Sequence, residues 1–137
     1  MPVAPIDLPA MDAVRGNTEG KILLSAVRNV TTASADLTNQ NATGVIVYFN
    51  VTAVPGTDTV TLTIEGKDPV SYNYSALFTA PPVSVVTLPA RYILYPGASQ
   101  GAPNMVLGLP LPRSWRIRVL HSGAGNFTYS VGCAYCI

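Results

Sequence analysis

The chain has 137 residues, of which 48% are apolar and only 11% charged, with a net charge of +1. That length suits one domain with one real core, and the charged share is under half the usual ~25%. The near-neutral balance argues against broad electrostatic capture of nucleic acid or acidic lipid, and no apolar run approaches the ~18 residues of a membrane span.

A solvated monomer normally carries more charge than this. The deficit therefore predicts either a bland, Thr-rich skin or a surface covered by partner proteins. Residues 1–20 are expected to form an extended N-terminal arm. Pro2, Pro5 and Pro9 break any helical or strand period there. MPVAPIDLPAMD has neither the basic leader nor the apolar h-region of a secretory signal, so the protein is expected to begin in a cytosol. Val3, Ile6 and Leu8 are sticky for a free tail. Twenty extended residues reach on the order of 65 Å, which suits an arm laid across a neighbouring subunit.

Residues 21–137 read as one β-rich domain. ILLSAVRNV (22–30) precedes a polar loop, TTASADLTNQNATG. VIVYFNV (45–51) is apolar on both faces apart from Asn50, the pattern of a central strand. After the turn AVPGTD, TVTLTIEG (59–66) alternates, with Val60, Leu62 and Ile64 on one face and Thr59, Thr61, Thr63 and Glu65 on the other. That is the period-2 signature of a half-buried strand. KDPVS turns the chain into YNYSALFTA (72–80). SVVTLPARYILY (84–95) must be interrupted by Pro89 or lie on an edge. A Gly/Pro loop follows at 96–112. RSWRIRVLH (113–121) points Trp115, Ile117 and Val119 inward and Arg116 and Arg118 outward, and FTYSVGCAYCI ends the chain. No helix is written here. About seven short strands with turns at ~8–12-residue spacing predict an antiparallel β-sandwich, Ig-like or jelly-roll-like.

The two cysteines are spaced C-x-x-C, which elsewhere marks a zinc site or a redox dithiol. On a regular strand Cys133 and Cys136 point to opposite faces with Cα atoms ~10 Å apart, too far for a disulfide. A redox dithiol also needs a helix N-terminus after its first cysteine. Zinc needs four ligands, and His121 is the only histidine. Cys133 is therefore expected to be a small core residue and Cys136 a strand-end residue.

His121, on the Trp115 side of its strand, lacks an evident nucleophile and orienting acid, so it is expected to be structural. Asp58, Glu65 and Asp68 are placed near one hairpin end, without the pattern of a catalytic carboxylate pair. The N-x-[ST] triplets at Asn29, Asn41, Asn50, Asn73 and Asn126 are read as products of a Thr-rich composition. No phosphate-cradling Gly loop opens a helix. The expectation is a non-enzymatic protein without cofactor or metal. Arg116 and Arg118 share one strand face and could meet acidic groups of a partner.

The stretch from Ala26 to Tyr135 resembles small virion proteins of tailed bacteriophages. The resemblance lies in the order of its pieces: AVRNVTTASADLTNQNATGVIVYFNVTAV, TVTLTIEGKDPVS, YPG, LPRSWRIRV and GNFTYSVG. It covers about four-fifths of the chain and rests on turns and core positions; the arm and CAYCI lie outside it. It implies a structural role in the virion, either as a decoration (cement) protein bound to the major capsid protein or as a neck or tail accessory. The first of these is the leading expectation, with self-association, a trimer favoured, and Val3, Ile6, Leu8, Arg116 and Arg118 as partner-binding residues. The rival from another class is an Ig-like module whose 96–112 loop grips host-surface carbohydrate.

Overall fold

The computed structural model describes residues 18–86, 88–97 and 106–137. Among these residues, seven strands of five residues or more carry the fold: β1 (Glu19–Arg28), β4 (Gly44–Ala53), β5 (Val60–Lys67), β6 (Tyr74–Thr79), β7 (Ala90–Leu94), β9 (Ser114–His121) and β10 (Phe127–Cys136). Three two-residue strands are added to them: β2 (Thr32–Ala33), β3 (Leu37–Thr38) and β8 (Val106–Leu107). They form two sheets. One runs β1-β10-β4-β7-β8, the other β2-β9-β5-β6, with β3 also paired to β9. Every pairing is antiparallel except β7–β8, which is parallel. The expected all-β sandwich is the observed fold.

The core follows from the alternation. Val45, Val47, Phe49 and Val51 of β4 and Phe127, Tyr129, Val131 and Cys133 of β10 face Val60, Leu62 and Ile64 of β5 and Trp115, Ile117 and Val119 of β9. All are buried. Apolar residues recurring every second position place one continuous stripe per strand on the inner face, so closing the two sheets removes both stripes from water. Aromatic rings meet edge-on between and within the sheets: Trp115 with Tyr135 at 5.9 Å, Phe49 with Tyr129 at 5.4 Å. Edge-to-face contact sets the positive ring edge against the negative face. β4 is central, as its two-sided apolarity predicts. Gly44, at its start, has no room for a side chain, because a Cβ there would lie 2.1 Å from the Leu94 carbonyl oxygen.

Several local expectations change. β1 starts at Glu19, inside the segment assigned to the arm, because Gly20 and Lys21 find backbone partners in Cys133 and Gly132. The polar loop after β1 is not free of strand, since β2 and β3 pair there with β9. Pro89 shortens the 84–95 segment to β7, whose first residue, Ala90, follows it directly. The Gly/Pro loop contains β8, laid parallel to Ile93 and Leu94.

β5 is not half-buried along its whole length. Thr63 and Glu65, on its outer face, are only 5% and 6% exposed. Arg116 and Arg118 of the adjacent strand lie across Glu65, and long side chains can cover a neighbour with their stems while their heads stay wet.

Candidate functional site

The antiparallel register Val60↔His121 to Gly66↔Trp115 places the two ends of β5 and β9 at opposite ends of the sandwich. Asp58 therefore sits beside the His121 end and Asp68 beside the Ser114 end. This corrects the expectation that Asp58, Glu65 and Asp68 gather at one hairpin end. β5 itself keeps the two aspartates apart by roughly 25 Å at ~3.3 Å per residue.

The Ser114 end is open. A cleft of about 500 Å³ lies there, lined by Thr38, Lys67, Pro69, Tyr72, Pro112, Arg113 and Ser114. The β5–β6 turn forms one wall. Asp68 organises that turn as an Asx motif: its carboxylate accepts from the Val70 N–H at 2.9 Å and the Ser71 hydroxyl at 2.7 Å. Its backbone carbonyl also accepts from the Tyr72 N–H at 2.9 Å. The Val70 and Ser71 bonds hold the Asp68 carboxyl below its usual range. Held this way, Tyr72 adopts φ 62°, and its residue is 67% exposed. A bulky residue in the left-handed region stores strain of about 1–3 kcal/mol.

The opposite wall is fixed by Asn39, which is buried. Its backbone N–H donates to the Arg113 carbonyl at 2.7 Å, and its side-chain amide donates to the Leu111 carbonyl at 3.1 Å. Pro112 lies between those two anchored carbonyls.

Beside the cleft, the outer face of the second sheet carries a continuous charge network. Asp36 accepts from the Lys67 ammonium at 2.6 Å and from the Tyr74 hydroxyl. The Lys67 bond, chiefly, lowers the Asp36 carboxyl, and the same bond raises the Lys67 ammonium. The Arg116 guanidinium lies 3.4 Å from the Tyr74 ring centroid and donates to Glu65 at 2.7 Å. Arg118 reaches the other Glu65 oxygen at 3.9 Å. The structure thus brings Arg116 and Arg118 onto one face, as the alternation predicts, and shows both converging on one internal carboxylate. Val3, Ile6 and Leu8 lie outside the described residues.

The His121 end is closed. His121 Nε2 lies 2.8 Å from the Tyr129 hydroxyl, a bond between the two sheets, and the ring meets Phe127 edge-on at 5.7 Å. Its buried Nδ1 has no hydrogen-bond partner among the described residues. Arg28 lies 4.8 Å over the Tyr129 ring and donates to the Leu24 and Tyr129 carbonyls. Burial, aided by the Arg28 charge and opposed by Asp58, lowers the pKa of His121. On the loop side, Asp58 accepts from the Gly125 N–H at 2.8 Å, and the Ser122 hydroxyl accepts from the Thr59 N–H at 2.8 Å. The residue expected to be structural is a cross-sheet tie.

Both cysteines are free thiols, Cys133 buried in the core and Cys136 half-buried at the last position of β10. Burial pushes the Cys133 thiol up to about 11, so it stays protonated at neutral pH. Among the described residues, no group of three or more His, Cys, Asp or Glu side chains is placed to hold a metal ion. The sequence marks KDPVS as a turn, but no pattern in it brings Tyr72, Asp36 and Lys67 together beside one cleft. The only local signal was Asp68-Pro69, a turn starter; Asp36 arrives from a loop thirty-one positions earlier than Lys67.

No family model and no curated protein matches the sequence. Among solved structures, "Structure of infectious bursal disease virus Gx strain" is similar over 86% of this chain at 14% identity and a TM-score of 0.45. The chain spans 31% of the length of that one. A likeness at that level carries no argument about what this protein does, and the resemblance to tailed-phage proteins rests on the sequence stretches quoted above.

Proposed function

We propose that the protein is a non-enzymatic structural component of a phage virion, a decoration protein that binds the major capsid protein and stabilises the shell. The observation that carries this reading is how the surface is made. Leu24, Val27 and Val30 are 67%, 64% and 64% exposed along edge strand β1 and the turn after it. Val85, Val86 and Leu88 are exposed together on the segment before β7. Meanwhile Lys67, Arg116 and Arg118 pair with the chain's own carboxylates. A surface that turns large aliphatic groups outward while pairing several of its cations internally suits contact with protein more than contact with water or nucleic acid.

The order of pieces shared with tailed-phage virion proteins supports the same reading. In a shell, each copy needs only a modest contact, because repetition by symmetry turns many weak contacts into strong retention. Self-association, a trimer favoured, and an N-terminal arm bearing Val3, Ile6 and Leu8 belong to the same proposal.

The test is the copy number of the protein in purified particles, measured by quantitative mass spectrometry against the major capsid protein. A number near that of the capsid protein is expected. A dozen or fewer copies would move the protein to the neck or tail, and absence from particles would overturn the virion role.

A further inference from the structure

The cleft at the Ser114 end has properties that the sandwich itself does not require. Tyr72 is held in a strained conformation and still leaves its residue two-thirds exposed, next to Val70 at 85%. Strain concentrated beside an exposed aromatic points to a role outside the fold. The walls are rigid before anything binds: Pro69 and Pro112 fix their own backbone, Asp68 fixes the turn, and Asn39 fixes the backbone on either side of Pro112. Preorganised walls reduce the ordering cost of binding.

The charges decide what fits between those walls. Lys67 is neutralised by Asp36 at 2.6 Å. The Asp68 carboxylate is turned into its own loop. Arg113 is exposed at the rim and forms no ion pair among the described residues. Of the residues that line the cleft, Arg113 is therefore the one whose charge has no ion-pair partner among the described residues, a guanidinium set near an aromatic ring and two prolines, while Asp68 behind the turn is bonded to neutral donors. A guanidinium offers a planar fork of N–H donors that matches a carboxylate in geometry as well as charge.

We propose that this cleft is a docking site for an acidic side chain on an extended segment of a partner protein. The carboxylate pairs with Arg113, and the flanking apolar residues pack on Tyr72 and Pro112. That the partner is another subunit of the particle rests on the function proposed above; the carboxylate chemistry does not.

The test is a ¹H–¹⁵N NMR titration of the full chain with the blocked tripeptide acetyl-Leu-Glu-Leu-amide, with the Leu-Gln-Leu peptide as control. Saturable shifts are expected at Lys67, Tyr72, Arg113 and Ser114, with the glutamine peptide binding about fivefold more weakly, the worth of one partly exposed ion pair. Arg113→Gln should abolish that difference. Tyr72→Gly should weaken both peptides while leaving the melting temperature unchanged or higher, a combination that a purely structural tyrosine would not give.

Equal binding of the two peptides, shifts centred elsewhere, or no saturable shift at millimolar peptide would overturn the site. None of these outcomes changes the particle copy number, so failure of the cleft and failure of the virion role are told apart.

Discussion

The two ends of β9 use similar materials for opposite purposes. Each has an aspartate ordering a turn, a basic side chain and a tyrosine. At the His121 end the polar groups bond to one another across the sheets, and Arg28 and Asp58 are committed to backbone groups. At the Ser114 end the aspartate likewise serves its own turn, but Tyr72 projects outward and Arg113 has no ion-pair partner among the described residues. The difference teaches where interaction energy resides. The closed end should contribute more to stability, and the open end should contribute less to stability and govern binding.

The largest test of that contrast is truncation of the two tyrosines. Tyr129→Ala removes a fully buried ring packed on Phe49, and urea denaturation should show a loss of about 3–5 kcal/mol. Tyr129→Phe should lose only about 1–2 kcal/mol, the cost of leaving His121 Nε2 without its partner. Tyr72→Ala should change the unfolding midpoint little. A large loss for Tyr72→Ala would break the comparison.

The turn aspartates should divide by readout. Asp58→Ala removes the acceptor for Gly125 and Asp68→Ala the acceptors for Val70 and Ser71, each costing about 1 kcal/mol in thermal melts. Only Asp68→Ala should also weaken peptide binding at the cleft, because it releases the geometry of Tyr72.

Acid should act on the closed end. The pKa of His121 in the fold lies below its ordinary 6.5. The unfolded chain then takes up the proton first, so the stability tied to neutral His121 is present above about pH 6.5 and is lost as pH falls through the folded value. The melting temperature should therefore drop between pH 7 and 5 by more in the native chain than in His121→Gln. A parallel drop in both would assign the acid sensitivity to carboxylates instead.

The smallest expected effect is a gain. Tyr72→Gly accepts the positive φ without a Cβ clash, and should raise stability by up to about 1 kcal/mol. A fall in stability would show that the Tyr72 ring contributes more through its 5.4 Å contact with the Lys67 ammonium than its backbone costs.

Much of the sandwich was legible in single strands. Val60-x-Leu62-x-Ile64 and Trp115-x-Ile117-x-Val119 state their buried face outright, because a pleated strand sends alternate side chains to opposite sides. The two-sided apolarity of β4 likewise announced its central place. The role of Cys133 also follows from alternation, as does the inner-side position of His121. The candidate site was far less legible. KDPVS announced a turn, but not that Tyr72 would take a left-handed conformation within it. Glu65 read as an exposed strand position, and only the register with Arg116 and Arg118 buries it.

By itself, then, the sequence determined which faces turn inward, where most of the longer strands lie, and that the chain folds as a β-sandwich. These are properties of period and turn chemistry, which act over a few residues. The tertiary structure alone decided which strands become neighbours, that Asp36 meets Lys67 and Tyr74, that His121 ties one sheet to the other, and that Arg113, beside Tyr72, is left without an ion-pair partner among the described residues. Each of those facts depends on register between segments far apart in the chain, and no local pattern encodes it.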